Sequence, residues 1–170
     1  LLQRNGYKTG MFGKWHLGSG PDAPMPKEYG FDEAVTNTSN DPASKDYFNL
    51  WAPEKRPVST KLVLDEAMKF IEKNKDEPFY VNAWFVDPHA TLNPSGEQMA
   101  KYDNRTPRGV DFHTPEQIYY ATVTEMDRQI GIFLNKLDEY FRYLFYAQNQ
   151  SYSLLKVIRL YKYLLSILVT

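Results

Sequence analysis

Apolar residues recur at helical spacing in two stretches of this chain and run almost without interruption in a third stretch between them. Leu62, Val63, Ala67, Phe70 and Ile71 line one face of a helix predicted over residues 61–74, with Ser59 or Thr60 as its cap. Glu77 and Pro78 break the chain there. Residues 79–86 are then nearly all apolar or aromatic, and a run of that length after a helix predicts a buried parallel strand. Thr114, Pro115 and Gln117 form a second helix start: a cap, a proline at the first position and a capping-box partner. That helix is predicted to reach about Glu139, burying Ile118, Ala121, Val123, Met126, Ile130, Phe133, Leu134 and Leu137. Helix, strand and helix with no hairpin signal predict an α/β layered fold, a mostly parallel sheet flanked by helices.

The remaining segments are less periodic. Residues 1–7 read as the end of a helix, with Gly6 in the place of a left-handed C-terminal cap. Residues 9–12 predict a short strand running into Gly13. Residues 18–57 are rich in Pro, Gly, Asn, Asp and Ser and read mostly as loop. Structureless loops of that length inside a compact domain are usually functional. From Tyr140 the character changes: residues 140–170 contain no Asp, Glu, Gly, Pro or His and carry +4, whereas residues 1–139 carry -5. The division is therefore a domain over 1–139 and an atypical tail over 140–170.

Composition narrows the function classes. The chain has 170 residues, enough for one domain with a real core. Its formal net charge of -1 points away from nucleic-acid binding. The absence of cysteine excludes disulfides, thiolate metal sites and a cysteine nucleophile within these residues. The chain opens on Leu1 with no signal peptide or long uncharged apolar run, which leaves export open.

Three histidines carry most of the candidate chemistry. His16 lies two residues after Lys14 in Gly13-Lys14-Trp15-His16-Leu17-Gly18. Glycine permits close backbone approach to an anion, a lysine ammonium suits a sulfate or phosphate oxygen, and an imidazole moves a proton near neutral pH. The bland alternative is a glycine-bounded loop with a surface lysine and a packed histidine. His89 sits in Asp87-Pro88-His89, just past the predicted strand, at the strand end where open α/β sheets bind ligands; a satisfied loop histidine is the alternative. His113 and Asp127 read as structural or solvated. Asp22, Asp32, Asp41 and Asp46 are scattered without ligand spacing, and no His-Glu-x-x-His, EF-hand or phosphate-binding loop is present.

The run from Gly6 to Gly18, reading Gly-Tyr-Lys-Thr-Gly-Met-Phe-Gly-Lys-Trp-His-Leu-Gly, closely resembles the second signature of the sulfatase family. Tyr29-Gly30-Phe31-Asp32, the stretch from Pro78 to His89, and the stretch from Tyr120 to Leu137 with Asp127 and Gly131 are similar to later family segments in the same order. The resemblance covers residues 1–139. It implies a partial alkaline-phosphatase-like α/β sandwich and hydrolysis of sulfate esters to alcohol and inorganic sulfate. It further implies a formylglycine nucleophile and a calcium ion, or a similar divalent cation, in the full-length parent. The substrate would be a small-molecule or carbohydrate sulfate ester, and the parent an exported protein. By match to the motif, Lys14 would hold the formylglycine and a sulfate oxygen. His16 would hydrogen-bond the formylglycine hydroxyl and assist sulfate release, and His89 would contact the sulfate near the leaving oxygen. No metal ligand is assigned to this chain.

Departures from the family pattern bear on activity. The Cys/Ser-x-Pro-x-Arg segment that yields formylglycine and the paired aspartates of the metal site are absent. No strand ending Asp-Asn-Gly follows the last matching helix, and the loop after His89 reads Ala90-Thr91-Leu92-Asn93-Pro94. The fragment alone is therefore expected to be inactive. A nonenzymatic truncated fragment and a phosphonate or phosphodiester hydrolase of the same superfamily are the alternatives. For the tail, the readings are a frameshifted or misassembled end, a basic amphipathic helix on a membrane built around Lys156, Arg159 and Lys162, or a terminal helix packed on the domain.

Overall fold

A computed structural model describes residues 1–17, 22–38, 48–105, 113–148 and 164–169. Four parallel strands form one sheet in the order β2-β1-β3-β4: β1 (Lys8–Trp15), β2 (Glu33–Thr38), β3 (Phe79–Phe85) and β4 (Leu164–Val169). Helix α1 (Ser59–Lys73) packs on β1 and β3, and α3 (Pro115–Gln148) packs on α1 and on a short α2 (Gly96–Ala100), which lies between β3 and α3 in sequence. This is the predicted α/β layering, and no helix among the described residues is long and apolar enough to cross a membrane.

The core forms where the periodicities meet. Alternate residues of β3, namely Phe79, Val81, Ala83 and Phe85, join Phe12 of β1 and one face each of α1 and α3. From α1 come Val63, Leu64, Ala67, Phe70 and Ile71; from α3 come Met126, Phe133 and Leu137. Burial of each of the larger side chains among these (Val, Leu, Ile, Met, Phe) contributes about 1.5–3 kcal/mol. A second cluster, Met11, Trp15 and Ala34 with Phe31 and Trp84, uses the alternate positions of the same strands.

Several elements differ from the sequence expectation. The opening helix end is a 3₁₀ turn, Gln3–Asn5, closed by Gly6 at φ 79°. The first strand continues through Gly13, Lys14 and Trp15. β2 lies inside the stretch expected to be loop, where its six residues are too few to show periodicity among turn-forming neighbours. On α3, Leu134 is largely exposed and Phe133, one position around the helix, takes the core. That helix also runs nine residues past Glu139, and β4 pairs with β3 further along the tail. Gly18, Asp41, Asp46, Lys156, Arg159 and Lys162 lie outside the described residues, so the membrane-helix reading falls outside them too.

Candidate active site

Parallel pairing brings the C-terminal ends of three strands to one edge. Gly13 is opposite Trp84 across β1 and β3, and Lys14 is opposite Asn37 across β1 and β2. Lys14 is the penultimate residue of β1 and half-buried; His16 follows that strand and is exposed. His89 follows β3 by four residues and is exposed. The register thus carries Lys14, His16 and His89 to the same sheet edge from two neighbouring strands. His113, at the start of α3, is exposed and bonds Gln117 Oε1 through Nδ1 at 2.9 Å; Asp127 is exposed on α3.

The β1 end is fixed by backbone approach and ring packing. Gly13 has φ +100°, and a Cβ placed there would lie 1.9 Å from the Trp84 carbonyl oxygen. Close strand approach by itself therefore requires glycine at this position. Beside it, Trp15 stacks on Trp84 with ring centroids 6.2 Å apart and meets Tyr29 edge-on at 5.2 Å. Lys14 therefore stands between two closely packed positions.

The β3 end is fixed by a buried ionic cluster. Arg56 Nη2 lies 3.0 Å from Asp87 Oδ1, and both side chains are more than nine-tenths buried. Ser59 Oγ donates to Asp87 Oδ2 at 2.5 Å and Thr60 Oγ1 donates to it at 3.3 Å. These two hydroxyls belong to the first turn of α1, whose N-terminal cap position is Val58 with no side-chain cap bond. The residues read as helix caps instead serve the carboxylate, which also sits at the positive end of the helix. Burial pushes the Asp87 carboxyl above its ordinary range, against the opposing pull of Ser59, Arg56 and Thr60. Burial likewise lowers Arg56, and the Asp87 charge pushes back.

Arg56 also reaches past Asp87 into the loop that carries His89. Its Nε donates to the Thr91 carbonyl at 3.0 Å and its Nη2 to the His89 carbonyl at 2.7 Å. Trp51 lies under the guanidinium at 5.1 Å and meets the His89 ring edge-on at 5.2 Å. Within the loop, His89 Nδ1 is 2.5 Å from the Ala90 carbonyl oxygen. A carbonyl only accepts, so Nδ1 carries the proton in that bond and Nε2 is left to accept, or to donate once the ring is cationic. Neither Arg56 nor Trp51 was singled out by sequence reasoning, because their partners are more than thirty residues away in the chain.

Asp32, one of the scattered aspartates, anchors the opposite end of β1. It accepts from the Thr9 amide at 2.8 Å, the Thr9 hydroxyl at 2.9 Å and Gln3 Nε2 at 2.7 Å. Burial works to raise its carboxyl, but these bonds and the charge of Lys8 outweigh it and hold the group below its usual range. Among the described residues no three His, Cys, Asp or Glu side chains gather in a way that holds a metal ion. The described residues by themselves do not supply the carboxylate set of a calcium centre.

A family model described as Sulfatase matches residues 1–143. An N-acetylglucosamine-6-O-sulfatase of Bacteroides thetaiotaomicron is 32% identical over 111 residues, covering 61% of this chain and 18% of that protein. An ulvan-active sulfatase of Formosa agariphila is 29% identical over 167 residues, covering 81% of this chain and 31% of that protein. An arylsulfatase of Hemicentrotus pulcherrimus is 31% identical over 121 residues, covering 56% and 22% respectively. The chain thus spans between 18% and 31% of the length of these relatives. Among solved structures, Ps i-CgsB superposes with a TM-score of 0.59 at 24% identity, covering 81% of this chain and 35% of that one; that likeness supports the fold.

Proposed function

This chain belongs to the sulfatase family, and from that premise we propose that it carries one part of a site that hydrolyses sulfate esters to alcohol and inorganic sulfate. The single observation behind this reading is the register that brings the ends of β1 and β3, with Lys14, His16 and His89, to one sheet edge. In this reading the Lys14 ammonium holds a sulfate oxygen as negative charge shifts during transfer. His16 hydrogen-bonds the formylglycine hydroxyl and assists release of sulfate. His89, its Nδ1 proton engaged by the Ala90 carbonyl, would in its cationic form give the Nε2 proton to the leaving oxygen and return to the neutral Nδ1–H form.

The rest of the site, including the formylglycine and the carboxylates for a calcium ion, comes in this reading from sequence outside residues 1–170. One relative is named for N-acetylglucosamine and another for ulvan, which supports a carbohydrate sulfate ester. The arylsulfatase names support a small-molecule ester as an assay substrate. Export of the parent protein and an atypical, non-native origin for residues 140–170 belong to the same proposal; the family model stops at residue 143. The test has two arms. The 170-residue chain, given an aryl sulfate and calcium, releases sulfate no faster than its Lys14→Ala variant. In the parent protein, Lys14→Ala lowers turnover by about 10²–10³-fold, the scale of losing one charge-stabilising donor. Turnover by the chain above its control, or a near-normal parent variant, contradicts the assignment.

A further inference from the structure

The Arg56 side chain is buried, yet two of its bonds go to backbone carbonyls of an exposed loop rather than to the carboxylate that neutralises it. The two carbonyls, of His89 and Thr91, flank the Ala90 carbonyl that receives His89 Nδ1. A guanidinium presents its donors in a rigid planar fork, so holding both outer carbonyls fixes the orientation of the segment between them. Asp87 in turn keeps the fork in place from the strand side, supported by Ser59 and Thr60.

We propose that Arg56 is a positioning residue: by gripping the His89 and Thr91 carbonyls it holds Ala90 O against His89 Nδ1 and so fixes that imidazole in the Nδ1–H tautomer. The hydrogen bond made by one ring nitrogen decides which form the other takes. A fixed Nδ1–H leaves Nε2 alone to exchange a proton with whatever lies at the sheet edge. The value of this arrangement to turnover rests on the sulfate-ester reading, but the tautomer itself does not.

Nitrogen NMR of the 15N-histidine-labelled 170-residue chain at a pH above histidine titration tests it, with His16, His89 and His113 assigned by single substitutions to Gln. In the unmodified chain His89 is expected to show a protonated Nδ1 and a bare Nε2. In Arg56→Lys, whose ammonium lacks the planar fork, His89 is expected to pass to a mixture of tautomers while His16 and His113 keep their shifts. A second variant, Arg56→Met with Asp87→Asn, removes both buried charges together, so no unpaired ion opposes folding; it is expected to give the same mixture. An Nε2–H tautomer in the unmodified chain overturns the proposal, as does a folded variant that retains the Nδ1–H form in full. Failure of the sulfate-ester assignment would appear as absent turnover in the parent with the histidine spectra unaffected.

Discussion

The ends of β1 and β3 both carry residues of the candidate site, and they are held by opposite physics. At the β1 end the constraint is steric and apolar: Gly13 admits the Trp84 carbonyl, and Trp15 stacks on Trp84. At the β3 end it is ionic and polar: Arg56 and Asp87 pair in a buried place and reach the His89 loop through hydrogen bonds. A steric constraint has one solution, because no partner residue compensates for a missing volume. An ionic constraint belongs to a pair, and both members can be exchanged together. The contrast predicts different responses to mutation at the two ends of one site.

The largest effect is expected at Gly13. Gly13→Ala puts a methyl group against backbone at a φ that side chains rarely adopt, and is expected to cost about 4 kcal/mol or more, measured by urea unfolding. A loss under about 1 kcal/mol would show that β1 and β3 leave room for a Cβ at Gly13. Next comes the ionic end. Arg56→Ala leaves Asp87 buried without its cation and is expected to cost roughly 3–5 kcal/mol. Arg56→Met with Asp87→Asn is expected to recover most of that loss, since desolvation is relieved on both sides. If the double variant is as unstable as the single one, the cluster is not a separable ion pair and the comparison fails.

The smallest effect concerns Asp32, which tethers the start of β1. Its carboxyl is held below the ordinary range, so its contribution to stability is present above the unfolded-state pKa and is lost as pH falls through the folded value. The group is largely exposed, so solvent screening keeps the term small. Asp32→Asn is expected to flatten the acid limb of the stability curve while leaving the sheet-edge residues unaffected, as read by thermal unfolding between about pH 2 and 5, since free carboxyls titrate at about pH 4. An unchanged acid limb would show that Thr9 and Gln3 do not bind the carboxylate selectively.

The two ends also differ in how far the sequence discloses them. Lys14 and His16 stand in a continuous motif, and 79–86 shows a nearly continuous apolar run interrupted by Asn82 alone, so the elements and their common edge follow from local pattern. The Arg56 cluster has no local pattern: its members come from a 3₁₀ turn, a helix start and a strand end, and only folding assembles them. Ser59 and Thr60 show the same limit. Their position predicts hydroxyls that accept from the first backbone N–H groups of the helix, but here both hydroxyls donate to a buried carboxylate, a strong charged acceptor. β2 escapes for a different reason: six residues at a sheet edge, surrounded by Pro, Gly and Asp, carry too short an alternation to register.

Whether Lys14, His16 and His89 serve one anion site is tested most directly by a sulfate titration followed through the histidine resonances of the folded chain. His16 and His89 should shift together with one apparent affinity, His113 should stay still, and Lys14→Ala should weaken both responses in parallel. Separate affinities for His16 and His89, or shifts that survive Lys14→Ala unchanged, would contradict a shared site.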